Sequence, residues 1–265
     1  MSDITIMMVT YNRLELTKDT FKLALDTAGE PFNLVIVDNG SSDGTQEWLR
    51  TANCSNIAAT TRIYLPENKG IAYGRNAALK ACKAQYPNTK YFNTLDNDIG
   101  IREGWLTDCC EVLECVPSIG MCGVNLEGTE YPRANIKLKG GRAFTIQIKP
   151  RGNLGAVCTV FKCQVQEKIG YFCEDYKLYG HEDADYGFRI RMLGLGLAYL
   201  NEPGTDLCAV HKGIDEGEYR EFKNEHFQAN LGLFKRNAAN YANHVKSLHI
   251  DFTDDILVFK DDQCI

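Results

Sequence analysis

The sequence of 265 residues lacks any apolar run close to the roughly 18 residues that a membrane-spanning helix needs. Its start, Met1-Ser2-Asp3, runs directly into a strand-like segment and lacks the charged and apolar regions of a signal peptide. We therefore expect a soluble, cytoplasmic chain, with peripheral contact to a membrane as the alternative. The sequons at Asn39 and Asn53 are then not expected to carry glycans.

Signatures of several catalytic classes are missing as well. There is no G-x-x-x-x-G-K-[ST] phosphate-binding loop and no G-x-S-x-G nucleophile motif. The 11 cysteines form no Cys-x-x-Cys pair, and without an export signal we expect reduced thiols. These absences argue against a P-loop NTPase, an α/β-hydrolase and a disulfide framework.

The first hundred or so residues alternate strand and helix patterns. Apolar runs predict four strands, at Ile4–Thr10, Leu34–Val37, Arg62–Leu65 and Tyr91–Leu95. Segments with helical spacing separate these runs, so the order predicts an α/β fold with a mainly parallel sheet and helices on both faces. In such sheets, ligands bind beyond the carboxyl ends of the strands. Polar clusters follow three of the four predicted strands, namely Thr10-Tyr11-Asn12, Asp38 to Asp43 and Asp96-Asn97-Asp98.

The second half is less regular and predicts a smaller, mixed part. Helical patterns occur at Trp105–Cys115, Glu182–Leu193 and Tyr219–Phe234, and strand patterns at Gly120–Val124, Ala156–Phe161 and Leu197–Leu200. We read the last helix as a packing helix. The expected organisation is one domain over residues 1–236, with halves of about 1–100 and 101–236, followed by an acidic C-terminal extension, 237–265.

Asp96-Asn97-Asp98 directly follows the fourth predicted strand. On an extended chain the two carboxylates point the same way, so together they can hold a hard divalent cation that also bridges a diphosphate. The alternative is an ordinary turn, since Asp and Asn favour turns.

Two further segments carry candidate chemistry. Glu182 and Asp183 stand at a predicted helix start, where the helix dipole favours a carboxylate that is ionised and able to act as a base; helix capping is the alternative. Asn68-Lys69-Gly70 and Arg75 flank another helix start, which suits a phosphate, although a solvated basic surface would look the same. Asp185 and Arg189, four residues apart on the later helix, predict an ion pair.

Taken in order, these segments resemble glycosyltransferase family 2, the large inverting family with the GT-A fold. The resemblance spans roughly residues 4 to 212 and is specific because five short segments occur in the expected order. They are Thr10-Tyr11-Asn12-Arg13, Val37 to Thr45, Asn68-Lys69-Gly70 with Arg75-Asn76, Leu95-Asp96-Asn97-Asp98, and Glu182-Asp183-Ala184-Asp185 with Arg189.

The resemblance implies roles for individual residues. Thr10, Tyr11 and Asp38 would surround the nucleobase, with Asp38 accepting from a uracil-like imide. Arg75 would approach the nucleotide and Asp96 the ribose. The remaining implied residues of the nucleotide-sugar site are Asn12, Asn68, Lys69, Gly70 and Asn97.

The same resemblance implies a metal and a base. Asp98 and His211, with Asp96, would hold Mn²⁺ or Mg²⁺, which neutralises the leaving diphosphate. Asp183 would be the general base, and Glu182 would shape the site. The expected activity is transfer of a sugar, with inversion, from a nucleotide-sugar donor (UDP-linked in the first instance) to a hydroxyl on a glycan, a lipid-linked sugar or another acceptor.

Two rival functions stay open at this point. One is a sugar-nucleotide-binding module without transferase activity. The other is a sugar-phosphate nucleotidyltransferase, although the glycine-rich N-terminal loop expected of that class is absent, since Met7 to Tyr11 contains no glycine.

The charge distribution bears on the acceptor. The net charge of −6 argues against a chain dedicated to nucleic acid. Residues 131–166, however, carry seven Lys and Arg and no acid, while the rest of the chain is net −13, from 22 basic against 35 acidic residues. This segment predicts either a solvated basic hairpin or a surface for an anionic acceptor, with nucleic acid possible but not favoured.

Overall fold

The computed structural model of the protein describes residues 2–54, 57–125, 130–201, 209–211, 217–256 and 259–260. The strands within these ranges are β1 (Ile4–Thr10), β2 (Asn33–Asp38), β3 (Ala59–Tyr64), β4 (Tyr91–Asp96), β5 (Ile99–Ile101), β6 (Ile119–Gly123), β7 (Arg133–Lys137), β8 (Ala143–Lys149), β9 (Cys158–Lys162), β10 (Gly196–Asn201), β11 (Ala209–His211) and β12 (Phe259–Lys260). The α-helices are α1 (Leu14–Thr27), α2 (Thr45–Thr51), α3 (Ile71–Gln85), α4 (Trp105–Cys115), α5 (Cys163–Ile169), α6 (Glu182–Met192) and α7 (Gly217–Ala242).

Ten strands form one sheet, in the order β12-β3-β2-β1-β4-β9-β6-β10-β8-β7. In its first half, β1 pairs in parallel with β2 and β4, and β2 pairs in parallel with β3. β1 and β2 are buried along their whole length, as parallel strands covered by helices on both faces must be. This burial is the reason that they stand out in the sequence as continuous apolar runs. The carboxyl ends of β1, β2 and β4 therefore meet at one edge of the sheet.

The second half of the sheet is mixed. β9 runs antiparallel between β4 and β6, and β10 is parallel to β6 but antiparallel to β8. β7 and β8 form an antiparallel hairpin at the far edge, within the basic segment. The predicted α/β fold, with a mainly parallel first half and a smaller mixed part, is confirmed.

Helices cover both faces of the sheet and create two hydrophobic clusters. On one face α1, α2 and α4 pack through residues such as Phe21, Leu49 and Trp105. On the other face α3 and α6 contribute Leu79 and Ile190. All five side chains are buried, so the helices that support the strand ends are fixed in place by apolar packing. No helix in the described ranges is long and apolar enough to cross a membrane.

The chain after α7 returns to the second face of the sheet. Gly170 forms a parallel bridge with Ile250, and a Cβ at Gly170, whose φ is +70°, would clash with the Ile250 carbonyl. Phe252 meets the ring of Tyr73 edge-on, with the centroids 5.3 Å apart. β12 then adds to the sheet beside β3. The described part of the acidic segment 237–265 thus packs against the sheet domain, while the division of the chain into halves stays a prediction.

A buried ion pair fixes α6 against its neighbours. Arg189 donates to Asp185 at 2.7 Å, and neither side chain has any exposed surface. The same guanidinium donates to the carbonyls of Ile169, Tyr171 and Leu248. Asp185 also accepts from two tyrosine hydroxyls. The i, i+4 pair expected from the sequence therefore exists and holds the end of α5 and the segment after α7.

Replacing Arg189 by Met should lower the free energy of unfolding by about 3–5 kcal/mol, because Asp185 would remain as a buried carboxylate without its cation. Chemical denaturation followed by circular dichroism measures this change. Lys22→Met is the matched control, since Lys22 and Asp26 form an i, i+4 pair on an exposed helix face and such pairs contribute little. Equal denaturation midpoints for Arg189→Met and Lys22→Met would contradict the prediction.

Candidate active site

A cavity of about 980 Å³ opens at the carboxyl ends of the parallel strands, within the size range of small-molecule sites. Its walls come from the loops after β1 and β2, the turn after β4, and the first turns of α3, α6 and α7. The predicted site residues that line it are Tyr11, Asn12, Asn68, Arg75, Asp96, Asn97, Asp98, Glu182 and Asp183. The predicted residues Thr10, Asp38, Lys69 and Gly70 are not among the lining residues.

The loop after β1 is tied to the loop after β2. The backbone N–H of Asn12 donates to the Ser41 hydroxyl at 2.7 Å, and the Asn12 side-chain oxygen accepts from the N–H of Ser42 at 2.8 Å. Asn12 and Arg13 both adopt positive φ, 54° and 62°. Such backbone strain is concentrated at functional sites in proteins generally. The loop presents Tyr11, which is 39% exposed, to the cavity.

Thr10 and Asp38 are buried instead of lining the cavity. One oxygen of Asp38 accepts from the N–H groups of Gly40 and Ser41, at 3.1 and 2.9 Å, and from the Gln46 amide at 2.8 Å. The other oxygen, Oδ2, is buried and has no hydrogen-bond partner among the described residues. Leaving a buried carboxylate oxygen without a donor is costly. Oδ2 is therefore the Asp38 atom left to accept a further N–H, although it does not line the cavity in this structure.

Asn39, which was not predicted as a site residue, lines the cavity and organises the next loop. Its amide donates to the side-chain oxygen of Asn68 at 3.0 Å and to the Gly70 carbonyl at 3.1 Å. Its oxygen accepts from the backbone N–H of Lys69 at 3.0 Å. Gly70 has a φ of +91°, and a Cβ there would clash with the backbone of Lys177. Lys69 and Gly70 thus act on the cavity through the shape of this loop.

Arg75, on the second turn of α3, lies between the two acidic parts of the cavity. It is 4% exposed and donates to Asp96 at 3.0 Å and to Glu182 at 2.8 Å. A third bond runs to the Ala156 carbonyl at 3.1 Å. Burial alone would lower the pKa of Arg75, but Asp96, Glu182 and Asp183 raise it above its usual value. Arg75 is therefore a fixed positive charge.

Asp96, Asn97 and Asp98 follow the apolar part of β4 and make different contacts. The side-chain amide of Asn97 donates to two buried threonine hydroxyls at 3.1 and 2.9 Å, which anchors the turn. Asp96 and Asp98 line the cavity. Burial raises the pKa of Asp96, and the nearby negative charge of Asp98 raises it further. Together these two effects outweigh the lowering of the Asp96 pKa by Arg75.

Asp98 and Asp96 are the carboxylates of the cavity that could hold a divalent cation. Asp98 already contacts one positive group, since Arg13 donates to it at 2.9 Å. The side chain of His211 lies outside the described residues, but β11 pairs with β5 so that His211 is opposite Ile99, next to Asp98. Among the described residues, no three His, Cys, Asp or Glu gather as a metal cluster. A cation held by Asp98 and Asp96 would take its other oxygen ligands from water and substrate, as Mg²⁺ commonly does.

Glu182 begins α6 and is 5% exposed. One carboxylate oxygen is bound by Arg75, and the other, Oε2, has no partner within the described ranges. Burial, with Asp183 adding to it, raises the pKa of Glu182 to about 7, although Arg75 opposes the shift. The raised pKa favours the protonated form of Glu182 at a higher pH than for an exposed glutamate.

Asp183 occupies a different environment one residue later. It is half-buried and lines the cavity. One oxygen accepts from the N–H of Ala184 at 2.6 Å, and the other from the N–H of Ala156 at 3.4 Å. Of the two acids, Asp183 has the more accessible carboxylate.

One wall of the cavity was not predicted from the sequence. The first turns of α7 line it with Tyr219, Phe222, Lys223 and Phe227. The amphipathic pattern of this segment is typical of any packing helix, and we predicted it as one. The sequence signal that could have identified this wall is the presence of aromatic residues on successive turns of α7, which follows the last recognised motif in the chain.

The basic segment 131–166 does not contribute its charges to the cavity. None of its seven Lys and Arg is among the lining residues. Arg142 binds Asp108 and Glu111 on α4, and Lys149 is buried over two tyrosine rings.

The architecture around this cavity is the GT-A fold of glycosyltransferases. The chain superposes on TarS from S. aureus in complex with UDP-GlcNAc with a TM-score of 0.64 at 16% identity, covering 88% of this chain and 66% of that one. It matches the mannosyltransferase PcManGT from Pyrobaculum calidifontis in complex with GDP-Man and Mn²⁺ with a TM-score of 0.58 at 19% identity, covering 83% and 59% of the two chains. Because the sequence identities are only 16% and 19%, these similarities show a shared fold and nothing more.

The family follows from the sequence match. The family model described as "Glycosyl transferase family 2" matches residues 5–163, more than half of the chain, and the chain belongs to this family. Two relatives come from Bacillus subtilis (strain 168). The uncharacterized glycosyltransferase YfnE is 38% identical over 77 residues, 29% of this chain and 19% of that protein. The putative teichuronic acid biosynthesis glycosyltransferase TuaG is 30% identical over 83 residues, 31% and 32% of the two chains. The matched segments thus span a third or less of these relatives.

Glu182→Gln should change how stability depends on pH. The folded-state pKa of about 7 lies above the ordinary 4.5, so the folded protein binds this proton more tightly than the unfolded chain does. The resulting stabilisation is complete below about pH 4.5 and is lost as the pH rises to about 7. Since glutamine does not ionise, the melting temperature of Glu182→Gln should rise relative to wild type between about pH 5 and about pH 8.

Thermal melts at a series of pH values measure this difference. Glu47→Gln, at an exposed position of α2, is the control and should follow the wild-type profile. A constant difference between Glu182→Gln and wild type over this pH range would show that Glu182 does not titrate there.

Proposed function

We propose that this protein transfers a glycosyl group from a nucleotide-sugar donor, UDP-linked in the first instance, to an acceptor hydroxyl, with inversion and with a divalent metal. The observation that carries the proposal is the meeting of three kinds of group in one cavity. Arg75 offers a fixed positive charge, Asp96 and Asp98 can hold a cation, and Asp183 can take a proton. A donor with a diphosphate needs the first two, and an acceptor hydroxyl needs the third.

The donor base and ribose are assigned to the strand ends. Tyr11 offers an exposed ring to the base, and the unpartnered Oδ2 of Asp38 suits the imide N–H of uracil. Asn12 and Asn68 line the cavity on this side, and Asp96 is the proposed contact of the ribose. The complexes of two structural neighbours contain UDP-GlcNAc and GDP-Man, which supports a nucleotide-sugar donor in general.

Three predicted donor residues act indirectly in this proposal. Thr10 accepts from Asn97 and so supports the turn that carries the two aspartates. Lys69 and Gly70 contact Asn39 through their backbones and hold the loop that lines the donor side.

A bound Mn²⁺ or Mg²⁺, held by Asp98 and Asp96 with His211, would neutralise negative charge on the departing diphosphate. Metal complexes of neighbouring folds, such as PcManGT with Mn²⁺, support a divalent metal without selecting one. The protein's own contribution to the leaving group is Arg75, whose charge lies between Asp96 and Glu182.

The transfer itself is a single displacement. The acceptor oxygen forms a bond to the anomeric carbon while the bond from that carbon to the diphosphate oxygen breaks, and its electron pair leaves with the nucleoside diphosphate. Asp183 receives the proton of the acceptor hydroxyl. Because attack and departure occur on opposite faces of the carbon, the anomeric configuration inverts. Glu182 stays bound to Arg75 and fixes the position of α6 beside the donor.

A panel of UDP-, GDP- and dTDP-sugars tests the proposal. Mass spectrometry of incubations with Mg²⁺ or Mn²⁺ should show a nucleoside diphosphate released from one donor, by transfer or by slow hydrolysis. A binding module would leave every donor intact, and a nucleotidyltransferase would consume a donor only when pyrophosphate is added, giving a nucleoside triphosphate and a sugar 1-phosphate.

Asp98→Ala should abolish the metal stimulation of UDP binding, since the diphosphate would then lack the bridging cation. Calorimetry of UDP binding with and without Mn²⁺ measures the stimulation. In the absence of metal, the variant should bind UDP at least as tightly as wild type, because Arg13 loses one of its carboxylate contacts.

Asp26→Ala, at an exposed carboxylate of α1, is the matched control and should retain the stimulation in full. Metal-stimulated UDP affinity that is unchanged in Asp98→Ala would remove Asp98 from the metal site.

Asp183→Asn should lower turnover by about two to four decades, the scale of losing a general base, and leave UDP affinity nearly unchanged. Glu182→Gln is the paired variant, because it keeps an oxygen for Arg75 and should lose less turnover. Initial rates and UDP titrations on both proteins give the comparison. Near-normal turnover of Asp183→Asn with an inactive Glu182→Gln would assign the base to the other acid.

A further inference from the structure

Large hydrophobic side chains are exposed at few positions of the described protein, and most of these lie at the cavity. The exposed ones among the described residues are Tyr11, Tyr219, Phe227 and Val245. Three of the four line the cavity. Concentrated apolar exposure of this kind marks a ligand surface. Tyr11 belongs to the donor side, whereas Tyr219 and Phe227 lie on α7 and have no role in the proposed chemistry.

Phe227 is held rigidly although its side chain is 42% exposed. Its ring stacks on His181, with the centroids 4.1 Å apart and the planes at 28°. The His181 Nε2 also pairs with the Phe227 carbonyl at 3.0 Å. The backbone of Phe227 packs so closely on Gly180 that a Cβ there would lie 3.2 Å from the Phe227 Cα. Asn230, one turn later, donates to three carbonyls of the same loop.

These contacts join Phe227 to the proposed base. His181 immediately precedes α6 and is two residues before Asp183. Tyr219, Lys223 and Phe227 follow one another at intervals of four residues, so they occupy one face of α7. This face and the carboxylate of Asp183 line the same cavity. A molecule that offers its hydroxyl to Asp183 therefore has an aromatic wall beside it.

The chemistry of this wall selects among hydroxyl compounds. An aromatic face favours an apolar, flat partner, and the neighbouring carboxylate and ammonium of Asp183 and Lys223 favour hydroxyl groups around its rim. A sugar in its ring form has both features, because its C–H groups form an apolar face and its hydroxyls project from the edge. An acyclic polyol has no such fixed face.

We propose that the acceptor is a sugar in pyranose form, which stacks its C–H face on Phe227, with Tyr219 forming the next part of the same acceptor site. The proposal rests on the proposed transferase function and names the substrate class of that site. The seven Lys and Arg side chains of residues 131–166 are absent from the cavity lining and have no part in it.

Saturation-transfer NMR with simple probes tests the acceptor site. The probes are methyl β-D-glucopyranoside, methyl β-D-galactopyranoside and methyl N-acetyl-β-D-glucosaminide, with ribitol as the acyclic comparison, each in the presence of UDP and Mg²⁺. At least one pyranoside should receive saturation at its ring C–H protons, and ribitol should not. Phe227→Ala should lower the affinity for that pyranoside about five- to tenfold, the scale of one aromatic stacking contact.

Three further variants complete the test. Phe227→Trp should retain binding, Tyr219→Ala should weaken it, and Val245→Ala, at an exposed residue outside the cavity lining, should leave it unchanged. Tyr219→Ala also covers the case in which Phe227→Ala fails to fold, which a thermal melt detects. Calorimetry should give the same UDP affinity for every folded variant.

The outcomes separate this inference from the proposed function. Wild-type protein that binds none of UDP, GDP and dTDP contradicts the transferase proposal itself. Normal UDP binding with no saturation of any pyranoside, or with equal saturation of ribitol, overturns the pyranose acceptor. Loss of UDP affinity in Phe227→Ala would place the ring on the donor side and overturn it as well.

Discussion

The buried guanidinium of Arg75 is the interaction on which the site depends. It binds Asp96 at the end of a parallel strand and Glu182 at the start of a helix 107 residues away along the chain. Burying one of these charges alone would cost several kcal/mol, so each requires the others. The pairing is incomplete, because Glu182 keeps an oxygen without a partner among the described residues and a pKa of about 7. The donor edge of the sheet and the acidic start of α6 are thus brought together by one side chain.

The cavity built around Arg75 has two differently made sides. The strand ends of the parallel half supply polar loops in strained backbone, with Tyr11 and the partly unsatisfied Asp38. The mixed half supplies Asp183 and an aromatic wall from α7. The two sides match the two substrates of the proposed transfer, a rigid nucleotide on one and a hydroxyl compound on the other. The Arg13–Asp98 contact spans 85 residues and shows that the acidic turn after β4 attracts positive charge.

The sequence was most informative for strands in which every residue is buried, because such strands appear as continuous apolar runs. β1 and β2 are buried throughout, so apolar runs alone located them, and parallel pairing then placed Asp96 and Asp98 beside one another at the correct edge. α5, β5 and the antiparallel position of β9 were not predicted, because pairing between distant segments depends on tertiary contacts that no local pattern contains.

The candidate site was predictable to a similar degree. Arg75, Asp96, Asp98 and the Glu182–Asp183 pair line one cavity, while their roles stay predictions. Arg13 was known only as part of a motif, and its contact with Asp98 joins two loops that no spacing rule connects. The wall formed by α7 was not predicted, because an amphipathic helix that packs on a core and one that lines a cavity have the same hydrophobic periodicity.

Phosphorus NMR of one UDP-sugar incubated with the protein and Mg²⁺ tests the central claim most directly. The donor resonances should be replaced by those of UDP, with no UMP or sugar phosphate, and a pyranose probe should accelerate the change. A donor that stays intact in the presence of folded, UDP-binding protein, or that yields UMP with a sugar phosphate, would contradict this claim.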